Sequence, residues 1–199
     1  MAHGKNWRSW PFNIPGFLKT LFDPYAHAVA FIEEEHRLVH DGMVFDTDVL
    51  ATSVANGASV TLQINIPAGL RPHLRQIRVA ADDGPCTLEL YEDSTVTVSG
   101  TLQDSRNHNR NSSNTALMTV LLSPTVTVLG TLLHRSYLPA AGAPGSNPGG
   151  FVIGGQSQQE FVMHPNQNAV LRITNNSGGA INISLEVLWY ELSYLDEEA

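Results

Sequence analysis

The chain has 199 residues, enough for one domain with an appended arm or for two small domains, and its 42% hydrophobic content suffices for a buried core. Only 15% of residues are charged, and 11 basic against 19 acidic residues leave a formal charge of −8. That balance excludes a general nucleic-acid binder, which needs a net basic face to displace counterions.

The N-terminus, "MAHGKNWRSWPFNIPGFLKTLF", has no unbroken apolar core and no small-residue cleavage site, so it does not read as a signal peptide. No apolar run is long enough to span a bilayer. The expectation is a soluble chain made in a reducing compartment. Trp7, Trp10, Phe12, Ile14, Phe17, Leu18, Leu21 and Phe22 crowd into this arm, broken by Pro11, Pro15 and Pro24. The prolines leave at most a short helix over 16–22. So many aromatic side chains are not left in water: they fold back on the body or dock on another subunit. Residues 25–40, "YAHAVAFIEEEHRLVH", read as a helix, with an extended segment from about residue 33 as the alternative. Residues 1–42 are therefore an anchoring arm.

From residue 43 the apolar period becomes two. In 58–66, Val60, Leu62, Ile64 and Ile66 alternate with Thr61, Gln63 and Asn65, between Asn56-Gly57 and Pro67. In 73–81 the parity slips between Leu74 and Ile77, which predicts a bulge. Segments 86–92 and 95–100 read as a pair around a tight turn at Asp93-Ser94, and 116–122 and 125–133 as two strands around Ser123-Pro124. A Pro/Gly/Ala loop, 139–150, follows, then strands over 159–164, 169–175 and 180–192, the last two joined by hairpin chemistry at Asn176–Gly179. No internal repeat is read. Eight to ten short strands with turn signals between them predict an all-β, antiparallel β-sandwich of jelly-roll type over 43–192, with an acidic tail, 193–199.

The search for chemistry returns no site. Cys86 is the single cysteine; it shares parity with Leu88 and Leu90 and reads as a buried thiol. His36 and His40 stand four apart, with Glu33 or His27 as a possible third ligand, but Arg37 occupies the position where a zinc protease needs glutamate. No His-x-His pair and no Gly-x-Ser-x-Gly elbow exists. "GGFVIGG" (149–155) lacks the lysine and helix of a phosphate cradle, and nothing singles out a glycosidase carboxylate pair. The expectation is no catalytic residue, no metal and no cofactor.

The most unusual stretch is "RNHNRNSSNT", 106–115: four asparagines, two arginines, one histidine and no apolar side chain. Asparagine side chains mimic backbone turns, so such a run can build a compact loop held by its own hydrogen bonds. Three readings compete: an ordered loop at a subunit contact, a disordered linker, and a nucleic-acid contact. The first is favoured, with Arg106, Asn109, Arg110 and Asn111 as the inter-subunit residues.

Several quoted stretches, in a fixed order, carry a resemblance. They are "LELYEDSTVTVSGT", "NHNRNSSNTALMTV", "SPTVTVLGTLL", a Gly/Pro loop, "QEFVMHPNQNAVLRITNNSG" and a closing "ISLEVLWYE". They resemble a group of tailed-bacteriophage virion proteins, whose N-terminal strands are similar to "EHRLVHDGMVF" and "VANGASVTLQINIP". The resemblance covers roughly residues 34 to 191. Ser123 stands before Pro124 where threonine is usual, and the arm before residue 30 matches no part of the group. The resemblance implies a non-enzymatic virion component and, by likeness to jelly-roll cement proteins, a homotrimeric capsid decoration protein on the head surface. Its partners would be the major capsid protein and itself, with no nucleic acid and no membrane. Trp7, Trp10, Phe12, Phe17 and Phe22 would then grip the capsid. The alternative is a receptor- or glycan-binding sandwich of a fibre, spike or collar, with Trp189 and Tyr190 as candidate contacts.

Overall fold

The computed structural model describes residues 22–23, 28–29, 34–82, 84–139, 151–154 and 160–193. The chain divides into two compact units, 1–37 and 38–199. Trp7, Trp10, Phe12 and Phe17, most of the 139–150 loop and the end of the acidic tail lie outside the described residues, as does the Phe22 side chain.

In the first unit β1 (Phe22–Asp23) pairs antiparallel with β2 (Ala28–Val29). The expected helix over 25–40 is therefore corrected at Ala28–Val29, which are strand; α1 is described over Glu34–His40. Glutamates open α1 and a histidine closes it, in keeping with the helix dipole. Its end is sharp. Gly42 has φ +70°, its N–H donates to Val39 O at 3.0 Å, and Met43 N–H donates to Leu38 O at 3.0 Å. That is a Schellman cap, with Gly42 in the left-handed position that costs glycine nothing.

The body is an all-β sandwich. Its long strands are β3 (Val44–Val54), β4 (Ser59–Ile66), β5 (Leu70–Ala81) and β6 (Cys86–Glu92). Short segments follow: β7 (Thr95–Val98), β8 (Thr101–Leu102), β9 (Arg106–Asn107), β10 (Thr119–Leu122) and β11 (Thr125–Val128). The chain returns through β12 (Thr131–Leu138), β13 (Phe151–Gly154), β14 (Phe161–Val162), β15 (Gln167–Asn175) and β16 (Ile181–Ser193). One sheet runs β12-β6-β15-β4-β10-β8; the other runs β13-β5-β16-β3-β9, with β14 also on β5. Every pairing is antiparallel.

Alternation builds the core. Val60, Leu62, Ile64 and Ile66 face inward with Leu88, Leu90, Leu171 and Ile173 of their own sheet. From the opposite sheet come Phe45, Leu74, Ile77, Val79, Leu185, Val187 and Trp189. Each fully buried aliphatic side chain contributes roughly 1.5–3 kcal/mol of transfer free energy. Trp189 is wholly enclosed and stacks on Phe45 with ring centroids 6.0 Å apart. Cys86 is buried as expected, and that burial pushes its thiol pKa up.

The bulge expected in β5 is present. Leu188 faces Gln76 but Trp189 faces Leu74, so Arg75 is the extra residue, and both Leu74 and Ile77 reach the core. Three other expectations are corrected. Asn176–Gly179 does not close a hairpin: β15 and β16 lie in different sheets, and the segment carries the chain between them. Asn175 holds that crossing, donating to Val54 O and Gly179 O at 2.8 Å each. Nor do β6 and β7 pair. Asp93 (φ 54°) turns the chain out of the sheet, and β7 pairs with β11 as a separate two-stranded ribbon.

The third correction concerns repeats. "TVTVSGTL" (95–102) and "TVTVLGTL" (125–132) differ only at Ser99 against Leu129, thirty positions apart. Eight residues are too few to register as a domain repeat, but the geometry makes the copies plain. Asp93 and Ser123, thirty apart, both have positive φ. Leu102 pairs Leu121 and Thr101 pairs Leu122, just as Leu132 pairs Tyr91 and Thr131 pairs Glu92. Thr97 Oγ1 donates to Thr125 O and Thr127 Oγ1 to Thr95 O, each at 3.3 Å. The two copies are related by a local two-fold axis through the ribbon.

Candidate functional site

The polar run folds into an ordered loop, and its asparagines build it. Asn107 Oδ1 accepts from Asn109 N–H at 2.8 Å, and Asn109 Oδ1 accepts from Asn111 N–H at 3.1 Å. These are two successive Asx turns. Ser112 Oγ accepts from Asn114 N–H at 3.1 Å. The amide ends of the same side chains reach the end of α1: Asn109 Nδ2 donates to His40 O at 2.8 Å, Asn107 Nδ2 to Gly42 O at 2.9 Å and Asn114 Nδ2 to Asp41 O at 3.2 Å. A helix end leaves carbonyls without intrahelical donors, and this loop supplies donors where the chain turns out of α1.

The expected inter-subunit residues separate. The Arg106 guanidinium grips Asp46 in its own chain, Nε to Oδ1 at 3.2 Å and Nη2 to Oδ2 at 2.7 Å, and also meets Asp48. These bonds to Asp46, first among its surroundings, hold Arg106 firmly in its charged form. Its fork is thus occupied within the chain rather than offered whole to a neighbour. His108 Nε2 lies 3.8 Å from Asp46 Oδ1. Asn109 is committed to the loop through both ends of its amide, and Asn111 is exposed. Arg110 is exposed and makes no hydrogen bond or ion pair among the described residues.

Beside the loop lies an open cleft of about 400 Å³, lined by Met43, Phe45, Ser113, Asn114, Thr115 and Glu191. Glu191 is 3% exposed. Its carboxylate accepts from Leu117 N–H at 2.9 Å, Met118 N–H at 2.9 Å and Trp189 Nε1 at 3.0 Å. A buried carboxylate is tolerable only with such a set of donors. The sequence carries one signal for it: Glu191 has the inward parity of Val187 and Trp189 at the end of an otherwise apolar face.

Two further clusters lie on the outer faces of the sheets. Glu89 sits between Arg135, whose Nε is 2.9 Å away, and Arg172, whose Nη2 is 2.5 Å away; Arg172 also donates to Tyr91 Oη at 3.1 Å. Burial alone would raise the Glu89 pKa, but the hydrogen bonds from Arg172 and then Arg135 outweigh it, and the carboxyl is held below its ordinary value. On the other sheet, Tyr190 stacks on His73 with centroids 4.4 Å apart, and both hydrogen-bond Glu160. Register joins these residues across strands, so neither cluster could be read from spacing.

Among the described residues no group of three His, Cys, Asp or Glu is gathered for a metal. His36 and His40 sit four apart on α1, with Glu33 and His27 outside the described residues. Trp189, a candidate sugar contact from sequence, is sealed in the core. No protein-family model matches the chain, and no curated protein matches it.

Proposed function

We propose that the chain is a non-enzymatic structural protein of a tailed-phage particle, stationed on the head as a capsid decoration protein. The observation that carries this reading is the path of the chain between its sheets. β3, β5, β13 with β14, and β16 belong to one sheet, in the order β3-β16-β5-β13; β4, β6, β12 and β15 belong to the other, in the order β4-β15-β6-β12. Two interlocked Greek keys give that order in a jelly roll, an architecture of viral capsid and lectin domains. β7 to β11 form an excursion between β6 and β12. The resemblance of residues 34 to 191 to phage virion proteins supports the same assignment and supplies the expectation of a homotrimer; the grip of the aromatic arm on the major capsid protein is inferred from the arm's apolar side chains alone.

The chemistry of the described surface is compatible with holding rather than reacting. The polar run closes on the end of a helix, and the buried carboxylates are tied to structural donors. The test is the composition of purified particles. Gel analysis and mass spectrometry should find this chain in fixed stoichiometry with the capsid protein, and particles that lack it should lose heat resistance. Its absence from particles overturns the proposal.

A further inference from the structure

The β7–β11 ribbon consists of two edge strands and nothing else. Among the described residues each strand pairs only with the other, so one side of each carries backbone N–H and C=O groups without a described strand partner. Proteins that stay monomeric blunt such edges with charge, proline or brevity. Elsewhere β8 and β9 are two residues long and β12 carries Arg135, whereas β13 is, like the ribbon strands, a four-residue edge without charge. The ribbon strands are four residues each, with Pro124 just before β11, and they lack charge. Residues 94–103 and 123–133 contain no charged side chain. Val98 and Val128, related by the local two-fold axis, are 61% and 55% exposed, and the equivalent Leu102 and Leu132 are 62% and 40% exposed. The pairing slips at Thr97 and Thr127, and Val98 and Val128 stand partly in water while Val96 and Val126 are half-buried.

We propose that this ribbon is a contact between copies of this chain, in which β7 of one molecule pairs antiparallel with β11 of the next. The occupant follows from the duplication. Within one molecule "TVTV" (95–98) already pairs antiparallel with "TVTV" (125–128). A second copy therefore presents to each open edge the sequence that the opposite edge is already paired with. Each molecule gives one β7 edge and one β11 edge, so the contact is head-to-tail and closes into a ring when the rotation allows. The backbone would supply the attraction, and Val98 and Val128 would leave water on the same side. This contact differs from the polar loop at 106–115, and it rests on strand edges alone, not on the virion assignment.

The test uses the full chain in solution, with no particle present. Sedimentation equilibrium across a wide concentration range should show a discrete oligomer. The double variant Val98→Lys with Val128→Lys puts a lysine on both edges of the ribbon, which opposes edge pairing, and should raise the dissociation constant about 100-fold or more. Because both valines are largely exposed in the single molecule, the thermal midpoint of the monomer should shift by no more than about 2 °C. Hydrogen exchange of the wild type should show protection of amides in 95–98 and 125–128 that grows with protein concentration. A wild type that is monomeric throughout overturns the proposal. So does a double variant that keeps the oligomer mass, or an oligomer in which those amides gain no protection.

Discussion

Gly42 and Ser112 are packed so closely that a β-carbon on Gly42 would overlap the Ser112 side chain and crowd Asn114 Nδ2 at 3.3 Å. The left-handed backbone of Gly42 adds a second penalty for any other residue. Gly42→Ala should therefore cost about 2–4 kcal/mol, the sum of strain and overpacking. Calorimetry should show a fall in thermal midpoint of roughly 5–15 °C. Adding Ser112→Gly removes the overlap but not the strain, so the double variant should recover part of the loss. A Gly42→Ala protein as stable as wild type would mean that the polar loop does not hold the end of α1.

The two arginines of the loop should behave differently. Arg106→Ala strips the fork from Asp46, which is only 14% exposed, and should cost about 1 kcal/mol in urea unfolding. Arg110→Ala should leave the unfolding curve unchanged. Any loss of self-association or particle binding in the Arg110 variant then reports a contact made by the loop, free of a folding effect. If both variants associate like wild type, the loop serves the fold alone.

Glu89 makes stability depend on pH in a fixed direction. Its folded-state pKa lies below that of the unfolded chain, so its contribution is complete above the ordinary carboxylate range. That contribution is lost as the pH falls through the depressed value. Glu89→Gln should cost about 2 kcal/mol at neutral pH, where it leaves two guanidinium groups without their shared anion. The gap between wild type and variant should narrow as the pH drops below about 4. Urea titrations at several pH values would show the convergence; parallel curves would rule out Glu89 as an acid-labile tie.

Removing residues 1–24 should leave the β-body folded, since residues 38–199 form their own compact unit. Circular dichroism should keep its β signature. Binding to particles stripped of the protein should be lost with Trp7, Trp10, Phe12, Phe17 and Phe22. Full-affinity binding by the truncated chain would show that the arm is not the anchor.

Strand parity was the most legible part of the sequence, because burial on one face of a strand writes a period of two directly into side-chain type. Val60 to Ile66 and Ile183 to Trp189 could be assigned to the core, and the slip between Leu74 and Ile77 marked a real bulge. Partnership was not legible. Nothing near Glu89 names Arg135 or Arg172, because register between distant strands brings them together. The same holds for β7, which follows β6 in sequence but whose partner is β11. Asn-rich composition pointed to a hydrogen-bonded loop, yet its target, the end of α1, lies more than sixty residues earlier in the chain. The helical pattern over 25–40 misleads at Ala28–Val29 because alanine and valine suit either conformation.

Trp189 makes this protein a convenient reporter on itself. The chain has three tryptophans, and two of them, Trp7 and Trp10, fall in the arm. Deleting residues 1–24 leaves a single indole, fully enclosed, stacked on Phe45 and hydrogen-bonded to the buried Glu191 carboxylate. Its fluorescence should be blue-shifted and poorly quenched by iodide while the sandwich is intact. A shift to the red would then register the parting of the two sheets in real time, without any attached dye.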